Sequence, residues 1–238
     1  MVVSSEVAGW NGAGPSATRP VLEARELYRF YHSGEDETFA LRGVSLEVAP
    51  GEMVAIVGPS GSGKSTLMSC LAGLDEPDGG HVVVAGRRMS RRGEAERAEL
   101  RAKWIGMLMQ TGNLLEHLTV VENIRAAKAL APGTRGPAPG DLLAQVGIAE
   151  RANAAPSTLS GGEAARAGLA VALANDPPVL LADEPTGDVD ASNEEVLLSL
   201  LQKRAKGDRA VVVVTHSERV ASAADRVIHL LDGRVVDG

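Results

Sequence analysis

The sequence predicts an α/β fold in which a mostly parallel sheet is covered by helices. Three short runs are continuously apolar, as strands buried on both faces of a parallel sheet require; they cover residues 53–57, 179–182 and 211–214. Stretches with helical patterning separate these runs, and this alternation is typical of α/β architecture. The chain has 238 residues, of which 44% are hydrophobic and 23% charged, which suits one large domain of this class.

We expect the elements to follow one another in a simple order. Residues 1–20 are rich in Gly, Ser, Ala and Pro, which is typical of a flexible tail, so the folded domain should span 21–238. Apolar residues roughly alternate over 21–48, which predicts antiparallel strands in an N-terminal β subdomain. Residues from about 90 to 165 are mostly helical in pattern, with one strand-like run at 104–109, which indicates a helical subdomain inserted between two halves of the sheet. The predicted helices span 63–73, 94–103, 120–130, 140–148, 160–175, 191–205 and 217–224.

The composition argues against several classes of protein. A net charge of −7 gives no general attraction to nucleic acid, and 3% aromatic residues are too few for a base-stacking platform. The single cysteine, Cys70, excludes an internal disulfide and a Cys-rich metal site. No apolar run approaches the ~20 residues of a membrane-spanning helix, and no secretory leader pattern is visible. We therefore expect a cytoplasmic protein without a nucleic-acid partner, whose membrane part, if any, is another chain.

The strongest chemical signal is a glycine-rich loop with the pattern Gly, four residues, Gly-Lys-Ser/Thr. It reads Gly58, Pro59, Ser60, Gly61, Ser62, Gly63, Lys64, Ser65 and Thr66. The loop follows an apolar run and precedes a predicted helix, as a phosphate loop must. Its glycines let backbone N–H groups surround phosphate oxygens, and the helix directs its positive end at the same anion. Lys64 can reach the β- and γ-phosphates and Ser65 can bind magnesium, which predicts a P-loop NTPase.

Two adjacent carboxylates, Asp183 and Glu184, follow the apolar run 179–182 directly. Ligands of open α/β folds bind at the carboxyl ends of the strands, where this pair should lie. In a nucleotide site the first carboxylate suits a magnesium shell, and the second can orient or deprotonate the attacking water. An isolated Asp-Glu pair is as often a solvated loop, but its place beside a phosphate loop favours the catalytic interpretation.

The segment 159–163 reads Leu-Ser-Gly-Gly-Glu and begins a helix twenty residues before the acidic strand. Here the sequence resembles the nucleotide-binding subunits of ABC transporters, whose signature reads Leu-Ser-Gly-Gly-Gln at this distance. The resemblance covers about residues 21–238. The aromatic loop, phosphate loop, glutamine loop, signature, acidic strand, aspartate loop and histidine loop follow in the family's order. The resemblance implies an ATPase domain that uses ATP and Mg²⁺.

The resemblance also assigns roles to single residues. Tyr31 matches the aromatic residue that stacks on adenine, with Tyr28 and His32 as nearby competitors. Gln110 matches the glutamine that senses magnesium, water and the membrane partner. Asp190 matches the aspartate of the aspartate loop, which contributes to the nucleotide site.

His216 follows the apolar run 211–214 and matches the histidine that contacts the γ-phosphate. The family pattern therefore implies catalytic roles for Glu184, His216 and Gln110. It also implies a magnesium shell formed by Ser65, Gln110 and Asp183.

In the resembling family the signature cannot reach the phosphate loop of its own chain. Two copies associate head to tail, so that Ser160, Gly161 and Gly162 of one chain contact the ATP held by the other. Closure on ATP and opening after hydrolysis drive an integral membrane permease. The resemblance thus implies a second copy and a permease as partners, and a peripheral position on the cytoplasmic face of the cell membrane.

Two positions depart from the family pattern. Glu163 stands where the signature usually has glutamine, and Val171 stands where many relatives have arginine. Ser160 and Glu163 also fit a helix capping box, and both interpretations of Ser160 can hold, because a capped helix start still presents N–H groups to an anion. The charge of Glu163 is expected to slow ATP turnover slightly.

Segments at 51–57, 73–75, 112–123 and 181–187 resemble the macrolide-export and lipoprotein-releasing ATPases. They imply an exporter or lipoprotein-releasing type of transporter. The alternative is a cell-division type of ABC ATPase, which transmits force across the membrane without transport. A soluble ABC protein acting on DNA or the ribosome is disfavoured, because such relatives carry two cassettes, coiled coils or zinc modules.

Overall fold

The computed structural model of the protein describes residues 19–33, 36–187 and 189–236. The flexible tail expected at residues 1–20 lies outside the described residues, apart from its last two positions. Within the described part the chain forms two sheets and seven α-helices. The predicted α/β class is confirmed.

The strands are β1 (Leu22–Ser33), β2 (Asp36–Val48), β3 (Met53–Val57), β4 (Gly79–Val84), β5 (Arg87–Arg88), β6 (Ile105–Leu108), β7 (Val179–Asp183), β8 (Ala210–Val214), β9 (Arg226–Leu231) and β10 (Arg234–Val236). The helices are α1 (Lys64–Leu71), α2 (Glu94–Trp104), α3 (Val120–Ala129), α4 (Pro139–Gln145), α5 (Gly161–Ala172), α6 (Ala191–Arg204) and α7 (Glu218–Ser222). Short 3₁₀ turns lie at Ala149–Arg151 and Pro156–Thr158.

The two sheets differ in strand direction. The N-terminal sheet has the order β2-β1-β4-β5 and is antiparallel throughout. The central sheet has the order β10-β9-β3-β8-β7-β6, in which only β10 runs against its neighbour. The apolar runs predicted β3, β7 and β8, but β4, β5, β9 and β10 were not predicted. In β9 the buried Ile228 and Leu230 alternate with exposed residues such as His229, so no continuous apolar run marks it.

All seven predicted helices are present, most of them shorter than expected. α5 ends at Ala172 instead of residue 175, and a left-handed residue, Asp176 at φ 49°, then turns the chain towards β7. In the region from about 90 to 165 the described elements are helical except for β6, which joins the central sheet. The bounds of an inserted helical subdomain remain a prediction.

The central sheet has a hydrophobic core on each face. Val179 and Leu181 of β7 pack into the core shared with α1 and the N-terminal sheet. The alternate residues Leu180 and Ala182 pack into the core built from α3, α4, α5 and α6. Because side chains alternate across a strand, burial on both faces explains why β7 and β8 read as unbroken apolar runs.

The register of the parallel strands brings three loops to one edge of the sheet. Ile56 of β3 pairs with Val214 of β8, and Val214 pairs with Asp183 of β7. The phosphate loop, Glu184 and His216 each follow one of these strands, so they meet at the carboxyl edge, where α/β folds bind ligands. No helix in residues 19–33, 36–187 and 189–236 has the length and apolar character needed to cross a membrane.

Candidate functional site

A cleft of about 690 Å³ opens at the carboxyl edge of the central sheet. Most of the predicted site residues line it. These are Tyr31, Ser60, Gly61, Gly63, Lys64, Ser65, Thr66, Gln110, Asp183, Glu184 and His216. The cleft also has walls that the sequence analysis did not identify. They are Thr38, Phe39, Ala40, Gly187 and Val214.

The phosphate loop depends on glycine at two positions where a side chain has no room. A Cβ at Gly58 would overlap the carbonyl oxygen of Leu230 in β9. Gly63 has φ 101°, a left-handed conformation, and a Cβ there would overlap the carbonyl oxygen of Ala40 in β2. The loop is therefore wedged between the two sheets, which fixes its backbone for ligand contact.

Lys64 lies beneath the loop with only 7% of its surface exposed. Its Nζ donates hydrogen bonds to the carbonyl oxygens of Gly58 and Pro59, each 2.8 Å away. Among the described residues no side chain caps the start of α1, whose first residue is Lys64 itself. Ammonium and helix terminus thus direct positive charge at the same part of the cleft, which suits a bound anion.

Asp183 and Glu184 stand opposite this positive charge. Burial raises the pKa of Asp183, the neighbouring charge of Glu184 raises it further, and the charge of Lys64 opposes both. Glu184 adopts φ 44°, a strained conformation for a residue other than glycine. Its N–H donates to the carbonyl oxygen of Val214 at 2.9 Å, which anchors it to β8. Strain of this kind, held by the surrounding structure, is typical of a functional position.

The side chain of Glu184 is oriented by the histidine loop. Its Oε2 accepts a 3.1 Å hydrogen bond from the backbone N–H of His216. Its Oε1 lies 3.4 Å from His216 Nε2 and has no hydrogen-bond partner among the described residues, although it is buried. A buried carboxylate oxygen with spare capacity to accept a proton is what activation of a water molecule requires.

Tyr31 lines the cleft and is 41% exposed. Its hydroxyl donates to Asp75 Oδ2 at 2.7 Å, and partial burial followed by this bond raises its pKa. Of the two competitors, Tyr28 does not line the cleft and lies against Gly43 and Gly79 instead. The side chain of His32 lies outside the described residues.

Gln110 lies where the cleft meets a second cavity of about 250 Å³. A Cβ at Gly187 would come 3.4 Å from Gln110 Nε2, so the amide reaches the chain segment that follows Glu184. The glutamine loop is thus in contact with the acidic loop as well as with the cleft.

The signature lies away from the cleft of its own chain. Ser160, Gly161 and Gly162 do not line it, although Gly161 borders the smaller cavity. Ser160 caps α5, and Glu163 completes the capping box by accepting from the Ser160 N–H at 2.9 Å. This bond, followed by one from Arg151 Nε at 2.7 Å, lowers the pKa of Glu163 to about 2. The charge of Glu163 is therefore locally compensated; its effect on turnover remains a prediction.

Asp190 caps α6 and is tied to the signature helix. It accepts from the Ser192 hydroxyl at 2.6 Å, from the N–H of Asn193 at 3.0 Å and from Asn193 Nδ2 at 2.8 Å. These contacts, that of Ser192 first, lower the pKa of Asp190. Asn193 also accepts from Arg166 of α5, and its side chain fills the space next to Gly162. Sequence reasoning missed Asn193 and Arg166, because a contact between two helices leaves no local pattern.

The fold and the cleft define a P-loop nucleotide-binding domain. The family model described as ABC transporter matches residues 41–187. The chain belongs to this family.

Relatives and solved structures support the same assignment. An uncharacterized ABC transporter ATP-binding protein of Thermotoga maritima is 40% identical over 220 residues, covering 91% of this chain and 94% of the relative. The macrolide export ATP-binding/permease protein MacB of Hyphomonas neptunium is 41% identical over 222 residues. This match covers 92% of this chain but only 34% of that relative. A dimeric post-hydrolysis structure of the ATP-binding cassette MJ0796 bound to ADP and Pi has a TM-score of 0.83 at 35% identity, covering 91% of this chain and 97% of that one.

Proposed function

We propose that this chain binds ATP with Mg²⁺ in the cleft, hydrolyses it, and thereby powers a separate membrane permease of the macrolide-export or lipoprotein-releasing type. The observation that carries the proposal is the convergence of Lys64, Asp183 and Glu184 on one cleft at the carboxyl edge of the sheet. A phosphate loop, a fixed cation and paired carboxylates together match the chemistry of phosphoryl transfer.

The residues of the cleft fit a nucleoside triphosphate. The ammonium of Lys64 is within the loop and can exchange the carbonyl oxygens of Gly58 and Pro59 for phosphate oxygens. The uncapped N–H groups at the start of α1 add donors to the same position. The exposed ring of Tyr31 also lines the cleft and is suited to stack on an aromatic base.

Mg²⁺ fits the donor atoms that face Lys64. Ser65, Gln110 and Asp183 offer hydroxyl, amide and carboxylate oxygens, the ligands that this hard cation prefers. The pKa of Asp183 is raised, so a nearby divalent cation would stabilise the ionised form of this carboxylate. When bound, the ion would neutralise negative charge on the transferred phosphate group.

Glu184 accepts the proton of the attacking water in this proposal. The His216 N–H holds one carboxylate oxygen, and the other stays unpaired among the described residues. The His216 imidazole is 59% exposed and lines the cleft, where it would contact the γ-phosphate. Gln110 links the cleft to the loop after Glu184 and orients the water and the ion.

A second copy of the chain would complete each site. Within one chain the signature lies outside the cleft, so Ser160 and the glycines after it serve the site of a partner. Asp190 would approach the same interface, because Asn193 joins it to the signature helix. The dimeric structures of MJ0796, one of them bound to ADP and Pi, support this arrangement.

The permease partner rests on the relatives whose names combine an ATP-binding part with a permease. This chain matches only about a third of their length, 34% in each case. A membrane permease would take the part of the remainder of those relatives and hold this domain peripherally at the cytoplasmic face of the membrane.

Calorimetry and a phosphate-release assay on Lys64→Ala test the proposal. Loss of one charge-assisted contact should weaken MgATP binding about 10- to 100-fold and abolish turnover. The matched control is Lys206→Ala, which removes an exposed lysine in the turn after α6 and should behave as wild type. ATP affinity and turnover that survive Lys64→Ala would refute the phosphate site.

A further inference from the structure

The ring of Tyr31 is held by a cluster of charged residues behind it. The guanidinium of Arg29 lies over the ring, with its Cζ 4.6 Å from the ring centroid. Arg29 Nε donates to Asp75 Oδ2 at 2.8 Å, and the Tyr31 hydroxyl donates to the same oxygen at 2.7 Å. One face of the ring is therefore covered by a cation, and its hydroxyl is fixed.

The cluster is itself anchored on two sides. Arg29 Nη1 donates to both carboxylate oxygens of Asp78, at 3.0 and 3.2 Å. Asp78 also accepts from the backbone N–H of Phe30 at 3.0 Å and donates its own N–H to the carbonyl oxygen of Tyr28 at 2.9 Å. The guanidinium is thus paired with two carboxylates and is fixed relative to β1.

Asp75 connects this cluster to the phosphate loop. Its N–H donates at 3.1 Å to the carbonyl oxygen of Ser69, a residue of α1, whose first turn carries Lys64. The hydroxyl of Tyr31 is therefore linked through Asp75 to the helix that begins at Lys64.

We infer that Arg29 is a positioning residue for nucleotide recognition: together with Asp75 and Asp78 it holds Tyr31 so that an aromatic base stacks on the free side of the ring. Arg29 does not line the cleft and is occupied by the two carboxylates, so it acts through Tyr31 and not by contact with the nucleotide. Preorganisation improves affinity by lowering the ordering cost of binding. This inference rests on the proposed function.

The test compares two ligands in the full chain, MgATP and inorganic tripolyphosphate, which has no base. Arg29→Met keeps the aliphatic stem and removes the guanidinium. It should weaken MgATP binding about three- to tenfold, as expected for loss of a cation–π contact and a hydrogen-bonded tether, and leave tripolyphosphate affinity within about twofold. Arg25→Met is the matched control, since Arg25 lies on the same strand and pairs with Glu23 and Glu47 outside the cleft.

A double-mutant cycle separates positioning from general destabilisation. Tyr31→Leu removes the ring, so adding Arg29→Met to it should cause no further loss of ATP affinity. Additive losses, or an equal loss for tripolyphosphate, would overturn the inference. So would unchanged ATP affinity in Arg29→Met.

A second variant is available if Arg29→Met does not fold. Tyr31→Phe removes only the hydroxyl that Asp75 holds, and should weaken MgATP about two- to tenfold with tripolyphosphate unaffected; wild-type ATP affinity would contradict the inference. Failure of the proposed function would look different, because Lys64→Ala would then leave tripolyphosphate binding unchanged.

Discussion

Glu184 accepts a 3.1 Å hydrogen bond from the backbone N–H of His216, while its second oxygen lies 3.4 Å from the His216 imidazole. The carboxylate is thus oriented by the main chain of the histidine loop and not by its side chain. Removal of the imidazole should therefore leave Glu184 in place and affect only what the imidazole itself touches.

His216→Ala should lower kcat about 100-fold, as expected for loss of one group that stabilises the transition state, and change ATP affinity little. The matched control is His229→Ala, an exposed histidine of β9 that does not line the cleft. Steady-state turnover and calorimetric affinity measure the two quantities. Wild-type kcat in His216→Ala would show that the imidazole has no part in the reaction.

Gly63→Ala should destabilise the fold and abolish ATP binding. The new Cβ would overlap the Ala40 carbonyl oxygen at φ 101°, and the left-handed conformation alone costs about 1–2 kcal/mol for a residue with a side chain. Gly140→Ala is the control, because nothing lies within 4 Å of a Cβ there. Urea unfolding measures the free energy of unfolding of both variants. If Gly63→Ala is as stable as wild type, the phosphate loop is not wedged between the two sheets.

Several of the nucleotide-binding motifs could be predicted from the sequence for two physical reasons, their place after a strand and their chemistry. The phosphate loop, Glu184 and His216 each follow a buried strand. The chemistry of phosphate and magnesium also restricts the residue types at Lys64, Ser65 and Asp183 to a few. The three apolar runs, with helical stretches between them, predicted the fold class and the strands β3, β7 and β8.

The supporting contacts could not be predicted in the same way. Arg29 and Asp75 are 46 positions apart, and Arg166 and Asn193 are 27 apart, so only the folded chain brings them together. β9 was missed because the polar Arg226 and His229 leave it without the continuous apolar run that marked β3, β7 and β8.

Ser160→Arg tests whether the signature acts on a partner's site. The variant should fold and bind ATP, because Ser160 lies outside its own cleft, yet hydrolyse none. Lys64→Ala should also be inactive alone. A 1:1 mixture should regain up to about a quarter of wild-type turnover, since half the dimers are mixed and each holds one complete site of two.

Two results would refute completion of the site in trans. One is wild-type turnover by Ser160→Arg alone. The other is a mixture that is as inactive as its components although co-purification of differently tagged chains shows that mixed dimers form.

Glu163 should contribute stability that depends on pH. Its capping-box hydrogen bond and then Arg151 lower its pKa from 4.5 to about 2 in the folded protein. Because the pKa of Glu163 is lower in the folded protein than in the unfolded chain, its ionised form stabilises the fold at pH values above about 4.5. This contribution is lost as the pH falls from about 4.5 towards 2. Glu163→Gln should therefore be less stable than wild type at pH 6, and the difference should shrink on acidification.

Urea unfolding at a series of pH values measures this difference. Glu150→Gln serves as the control, because Glu150 is an exposed glutamate of the 3₁₀ turn Ala149–Arg151. A stability gap between wild type and Glu163→Gln that stays constant with pH would contradict the ion-pair and capping assignment.

Glu184→Gln tests whether Glu184 acts as the base that hydrolyses ATP in a site shared by two chains. The change keeps the size of the side chain and its capacity to accept from the His216 N–H, but removes the base, so turnover should fall about 10²- to 10⁴-fold. ATP binding should survive, because Lys64, Ser65 and Asp183 are untouched.

The decisive measurement is gel filtration of Glu184→Gln with MgATP, followed by quantification of the retained nucleotide. We expect a stable dimer that retains about two ATP molecules, one in each of its two equivalent sites, whereas wild type should elute mostly as monomer. A Glu184→Gln protein that remains monomeric and hydrolyses ATP at the wild-type rate would show that Glu184 is not the base and that ATP does not hold two chains together.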